Sequence, residues 1–200
     1  MKGCVIWNIY SEIAYLKFFK VLERLNKIKK ILDSCSIKKF KFYNKHSNSK
    51  NEYIVMMIAK HHSTPISIIE KLFYKNKCLK SIALNPNCPI YILEKLSNNS
   101  KKLIRSAVIQ NINCPTHILE KLSKDKSFYV KTSVVGNKKC PISILDELSC
   151  NSSIDISFYI ISNKNCTYDI LKKLYKRFSD NNYFKKIIIE HTNWKLKEII

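Results

Sequence analysis

Residues 85–97 read NPNCPIYILEKLS. The same thirteen-residue pattern returns as 111–123 NINCPTHILEKLS, 137–149 NKKCPISILDELS and 163–175 NKNCTYDILKKLY. Asn85, Asn111, Asn137 and Asn163 stand 26 residues apart, and so do Cys88, Cys114, Cys140 and Cys166. An earlier copy, 61–73 HHSTPISIIEKLF, lies 24 residues upstream, with His61 in the asparagine place and Thr64 in the cysteine place. A fixed period held over five copies is the signature of stacked supersecondary units.

Each copy reads as two short helices. Pro65, Pro89, Pro115 and Pro141 suit a first helical position, where a missing N–H is no loss; Thr167 replaces proline in the last copy. Apolar residues follow three, four and seven places on, as in Ile92, Leu93 and Leu96 or Ile118, Leu119 and Leu122, which is one helical stripe. A polar break comes next (Ser97-Asn98-Asn99, Ser123-Lys124-Asp125, Ser149-Cys150-Asn151-Ser152), rich in residues that end one helix and cap another. The second helix carries Ile104, Ala107, Val108 and Ile109, then Val130, Ser133, Val134 and Val135, then Ile156, Tyr159, Ile160 and Ile161. The recurring asparagine follows, where a helix C-terminus favours a residue tolerant of the left-handed conformation. Helices of two or three turns are unstable alone, so the stacked array is the expected folding unit.

Tetratricopeptide (about 34), ankyrin (about 33) and HEAT or armadillo (about 40–47) repeats are all longer, and the L-x-L strand signature of ordinary leucine-rich repeats is missing. The segment resembles the variant leucine-rich repeat, whose unit runs N-P-x-x-P-x-x-x-L-x-x-L-a-x-D-x-d-x-x-V-R-x-x-V-A-x-N. The copy from Asn85 to Asn111 matches at Asn85, Pro86, Pro89, Leu93, Leu96, Arg105, Val108 and Asn111, with Asn99 for the acid and Ile104 for valine. The next copy has Asp125, Val130 and Lys131 in the corresponding places. Over residues 54–180 the resemblance implies an all-α fold, a right-handed helical solenoid of short two-helix repeats. Ser157 departs from the family's arginine, and the first copy is two residues short. Some family members carry a cysteine-rich iron–sulfur module beside the repeats. Only Cys4 and Cys35 occur in the first third of this chain, so no cofactor is expected.

The expected organisation is an N-terminal helical segment over 1–35, a basic connector over 36–52, the repeat array over 53–181 and capping helices over 182–200. Residues 10–34 space Ile13, Leu16, Phe19, Leu22, Leu25, Ile28 and Leu32 as a helix does. Residues 53–60, YIVMMIAK, read as the second helix of a leading repeat, and Trp194 reads as part of the cap. No stretch reaches the roughly 18 uncharged apolar residues of a membrane span. The N-terminus lacks a small-x-small cleavage site, and its glycine is third rather than second, at Gly3. A cytoplasmic protein without membrane partners is the expectation.

The 200 residues carry 36 Lys+Arg against 15 Asp+Glu, a formal charge of +21, with 46% hydrophobic residues and only two glycines. That composition excludes wholesale disorder. Lys (33), Ile (30) and Asn (19), the residues of A/T-rich codons, dominate, whereas arginine occurs only as Arg24, Arg105 and Arg177, so genome drift and function are alternative sources of the charge. A surface shaped for phosphate would use more of arginine's planar fork.

Charge concentrates in residues 27–50, where eight lysines face only Asp33. There Lys38, Lys39, Phe40, Lys41, Phe42, Tyr43 and Lys45 interleave cations with aromatics, a mix that suits phosphate contact and base stacking and equally suits a solvated connector packing its rings on the first repeat. Along the repeats Arg105 and Lys131 share one position, with Lys80 one place off it, as a short candidate basic stripe.

The remaining residues point away from catalysis. The four recurrent cysteines should form a ladder with layers ~8–10 Å apart. That exceeds the about 7 Å Cα separation of a disulfide and the convergence at ~2.3 Å that zinc demands. They are expected to be buried, reduced and structural, with no metal. His61 reads as a loop residue standing in for asparagine. Glu70, Glu94, Glu120 and Asp146 form a ladder on a mixed-charge face. No hydrolase, metalloprotease, phosphate-loop or dinucleotide motif occurs. The expected function is a non-catalytic interaction scaffold that binds a protein or peptide, an acidic one fitting the charge, in a repeat-lined groove. The alternative is a DNA- or RNA-binding module using the 27–50 segment and the Lys80–Arg105–Lys131 stripe.

Overall fold

The computed structural model describes Glu23, residues 36–151 and residues 153–198. Over these residues the chain is all-α, without a strand. Two compact units divide it, residues 1–78 and residues 79–200. The first holds α1 (Ser36–His46), α2 (Glu52–Lys60) and α3 (Ile66–Tyr74). The second holds α4 (Leu79–Ala83), α5 (Ile90–Ser97), α6 (Lys102–Ile109), α7 (Thr116–Ser123), α8 (Phe128–Val135), α9 (Ile142–Asn151), α10 (Ile154–Ile161), α11 (Tyr168–Arg177), α12 (Asn182–Glu190) and α13 (Thr192–Glu198). The expected helix over 10–34 lies outside the described residues, Glu23 excepted.

The recurrent proline stands one place earlier than expected, at the N-cap. Pro65, Pro89 and Pro115 have φ between −59° and −71° and ψ between 142° and 153°. That extended backbone still lets the carbonyl accept the first helical bond, as Pro89 does from Leu93 N–H at 3.1 Å. Thr167, lacking the ring, caps α11 with its side chain, which accepts from Ile170 N–H.

The apolar stripes of these helices are buried: Ile68, Ile69 and Leu72 in the first unit, and Ile92, Leu93 and Leu96, then Ile118, Leu119 and Leu122, then Ile144 and Leu145 with Leu148 half-buried, then Ile170, Leu171 and Leu174 behind Thr167 in the second. The intervening helices bury Ile104, Val108 and Ile109, then Val130, Val134 and Val135, then Ile156, Ile160 and Ile161. In the second unit helices pack one and two places along the chain: α4 on α6, α6 on α8, α8 on α10 and α10 on α12, with α5 on α7, α7 on α9 and α9 on α11. One position departs from the expected stripe. Ala107 is buried, but Ser133 is half-buried and Tyr159 is 45% exposed, because a side chain the size of tyrosine does not fit where alanine does.

The polar breaks end helices by turning a serine inward. Ser97, Ser123 and Ser149 are buried, and each hydroxyl donates to the carbonyl three residues back, at 2.7–2.8 Å. Asn99 and Asp125 then accept the N–H of Lys101 and Ser127 and start the following helix.

That device identifies a copy which the residue pattern concealed. The expected connector over 36–52 is instead mostly α1, which packs on α2, as α2 does on α3. Tyr43 is fully buried in the place of the leucines at 93 and 119, and Ser47 donates to Asn44 O at 3.0 Å as Ser97 does to Glu94 O. Ser49 accepts from Asn51 N–H as Asn99 does from Lys101 N–H. Burial of the Tyr43 ring, not the run of lysines, decides that this segment is helical. The reading of 53–60 as a helix agrees with α2, and that of 182–200 as a terminal helix pair agrees with α12 and α13.

Candidate binding surface

The recurring asparagines have a different role from the one their position suggested. The described non-glycine residues with positive φ are Asn76 (54°) and Cys78 (51°), so none of the repeat asparagines is left-handed. Their side-chain amides bond to carbonyls 26 to 28 residues earlier in the chain. Asn111 Nδ2 donates to Ala83 O and Asn85 O at 2.6 and 2.7 Å, Asn137 Nδ2 to Ile109 O, and Asn163 Nδ2 to Val135 O and Asn137 O. Each Oδ1 meanwhile accepts the N–H two residues on, at 2.7–2.8 Å, in Asn85, Asn111, Asn137 and Asn163 alike. Both ends of the amide are therefore spent on carbonyls at helix ends and on a turn.

Histidines take this place at the two extremes of the pattern. His61 Nδ1 accepts from Ser63 N–H at 3.2 Å and lies 3.0 Å from Tyr43 Oη. His191, 28 residues after Asn163, accepts from Asn193 N–H at 3.0 Å. An acceptor Nδ1 requires the neutral ring with its proton on Nε2. Burial pushes the His191 pKa below 6.5, against the opposing pull of a hydrogen bond to the Asn163 backbone. Asn193 Nδ2 then donates to Cys166 O at 2.7 Å, as Asn165 Nδ2 does to Lys138 O and Cys140 O. Trp194 falls in the cysteine place and is buried between the rings of Tyr168 and Tyr175, at centroid distances of 5.1 and 5.2 Å.

Cys88, Cys114, Cys140 and Cys166 are buried and free of disulfides, each Sγ pointing at the carbonyl of the following residue at 3.8–4.0 Å. Burial pushes their thiols up to about 12, 11, 12 and 12 in that order. Thiols so far from ionising are poor nucleophiles and poor metal ligands. Among the described residues no three His, Cys, Asp or Glu side chains come together as a metal site.

The candidate polyanion-binding residues separate into distinct groups. Arg105 is corrected by its burial: it is 7% exposed, with Nε and Nη2 on the two oxygens of Asp125 at 2.6 and 2.9 Å. Its Nη1 donates to Asn99 O and Ser100 O. A guanidinium held this way has no fork left for phosphate. The hydrogen bond to Asp125 raises the Arg105 pKa. Burial pushes the Asp125 carboxyl up, but the bonds from Arg105 and Ser127 and the charges of Arg105 and Lys126 outweigh it and hold it low. Tyr43 is likewise corrected, its ring buried and so closed to base stacking. Phe42 is half-buried against His46, ring centroids 4.3 Å apart. Lys41 and Lys45 are exposed on α1, Lys80 is exposed on α4, and Lys131 is half-buried on α8. Lys38, Lys39 and Phe40 fall on α1, their side chains outside the described residues.

Two recesses of the second unit lie elsewhere, at the C-terminal ends of α6, α8 and α10. Gly136 and Lys138 line both at once. One, of about 490 Å³, is also lined by Ile109, Ile112 and Lys139. The other, of about 380 Å³, is also lined by Tyr159 and Lys164. Gly136 occupies the position of Gln110 and Ser162 in the flanking copies, so its missing side chain leaves the wall between the recesses low. Ile112, Lys138 and Lys164 share the next-but-one position and are all exposed. Sequence reasoning missed this surface. Its one signal was the second of only two glycines, inside the repeat.

No helix among the described residues is long and apolar enough to cross a membrane. Compared with models of known families, with curated proteins and with solved structures, the chain matches none.

Proposed function

We propose that this chain is a helical repeat solenoid of the variant leucine-rich-repeat kind. Its proposed role is a non-catalytic scaffold that binds an acidic segment of a protein partner. The observation that carries the reading is how polar groups are used: repeat asparagines, serines and Arg105 are spent on bonds inside the fold, while ammonium groups and large apolar side chains face out. Such a surface offers charge and apolar area to a partner. Thiols pushed up to 11–12 and carboxylates such as Asp146, paired with Lys173 at 2.5 Å, fit that reading. The nucleic-acid alternative loses Arg105 and Tyr43 and keeps Lys41, Lys45, Lys80 and Lys131.

Fluorescence anisotropy of acidic peptides, single-stranded DNA and RNA, titrated from roughly 50 to 200 mM salt, tests the choice. The scaffold reading expects peptide binding to persist at the upper salt while nucleic-acid binding disappears. Nucleic-acid binding near micromolar at that salt, reduced in Lys41→Glu with Lys45→Glu, overturns it.

A further inference from the structure

The recesses astride Gly136 combine three properties. Their volumes, about 490 and 380 Å³, lie in the ~300–1,000 Å³ range of ligand clefts. Most of their polar side-chain atoms are already paired: Asn111, Asn137 and Asn163 in the ladder, Gln110 Nε2 on Ser106 Oγ, and Ser133 Oγ on Tyr129 O and beside Ser106 Oγ. What remains outward is mostly apolar surface: Ile112 is 66% exposed, and Tyr159, a ring ending in a hydroxyl, is 45% exposed. Two cations flank the low wall, Lys138 and Lys164, and among the described residues neither ammonium has a side-chain partner. Lys139, by contrast, is tied to Ile112 O.

We infer that the paired recesses over Gly136 receive one apolar side chain of an acidic peptide segment, with its flanking carboxylates on Lys138 and Lys164. This rests on the scaffold reading and gives it a site. A nucleobase edge would find little there beyond the Tyr159 hydroxyl and Gln110 Oε1, and a phosphate chain would use the lysines but not the apolar walls. A second copy of this chain is opposed by its +21 charge. An acidic segment with an apolar anchor satisfies both components, the anchor supplying affinity and the carboxylates orientation.

The test uses the full chain and a fluorescein-labelled peptide of Asp and Glu with one central Leu, against the same peptide with central Gly, at roughly 150 mM salt. Burial of a leucine side chain is worth at least about 1.5 kcal/mol, so the Leu peptide should bind about tenfold tighter. Gly136→Leu fills the wall and should erase that advantage. The dihedral allows a side chain, since φ is −79°; an added Cβ meets the Ser133 carbonyl at 3.9 Å and the Thr132 carbonyl at 3.2 Å, which must give by a few tenths of an ångström. Gly136→Ala, with circular dichroism and thermal unfolding, separates filling from misfolding. Lys138→Glu with Lys164→Glu should weaken both peptides at least about tenfold, and the charge-matched Lys102→Glu with Lys172→Glu much less. A Leu advantage that survives Gly136→Leu, or equal losses in the two lysine pairs, overturns the site and leaves the scaffold reading standing. Failure of every acidic peptide to bind wild type, with single-stranded DNA bound, overturns both.

Discussion

Arg105 and Asp125, twenty residues apart, form a two-pronged ion pair whose side chains are 9% and 8% exposed. The pair joins α6 to the turn that starts α8, and the remaining Arg105 donors close the carbonyls of Asn99 and Ser100. Removing one partner strands a nearly buried charge. Asp125→Ala should therefore cost about 3–5 kcal/mol in urea unfolding, whereas Arg105→Met with Asp125→Leu should recover most of the loss. A cost below about 1 kcal/mol for Asp125→Ala would mean that the pair is solvated like a surface bridge.

The asparagine ladder predicts a loss at both ends of one amide. Asn137→Ala removes the donor to Ile109 O and the acceptor of Lys139 N–H, and should destabilise the second unit by about 2 kcal/mol. Asn137→Asp keeps the acceptor, loses the donor and sets a charge against a carbonyl. It should be no better than alanine in the same unfolding measurement.

His191 makes stability depend on pH. Its folded pKa lies below the 6.5 of the unfolded chain, so on acidification the unfolded state takes up a proton first. Its contribution is fully present above 6.5 and is lost as pH falls from 6.5 toward the folded value. His191→Asn, which restores the residue used by the other copies, should flatten that part of the profile. His46, also lowered by burial and then by Lys45, contributes with the same sign, so the difference between wild type and variant is the quantity to follow.

The cysteine ladder predicts selective reactivity. At pH 8 the exposed Cys150 should be alkylated in the native protein. Cys88, Cys114, Cys140 and Cys166 should react only on unfolding, since burial removes both access and thiolate. Peptide mapping after a timed iodoacetamide pulse reads this, and rapid native labelling at Cys140 would contradict its buried place.

The spacing of asparagine, cysteine, proline and leucine made the helices from Ile66 onward legible, because a stripe at three, four and seven can be buried in only one way. Two copies were concealed by substitution. The α1 copy reads FYNKHS where others read ILEKLS or IIEKLF, and the C-terminal copy reads HTNW where others read NKNC. Each keeps the geometry with different atoms: Tyr43 fills a leucine's place, His191 Nδ1 accepts as an asparagine oxygen does, and Trp194 fills a cysteine's place. A residue alphabet that counts leucines and asparagines cannot register equivalence of shape and acceptor position. The candidate surface was less legible still. Charge pointed to Arg105 and Tyr43, which the fold buries, and passed over Gly136, which matters for what it lacks.

By itself the sequence determined the helical period, the inward stripe and the character of the cysteines, all of which follow from local spacing and apolar transfer. Only the tertiary structure decided which polar groups are spent and which remain. A side chain's availability depends on carbonyls and carboxylates brought to it from 20 to 28 residues away, as Asp125 is to Arg105 and Val135 O to Asn163. Hydrogen bonds and ion pairs are directional and short-ranged, so their partners are settled by packing and not by composition.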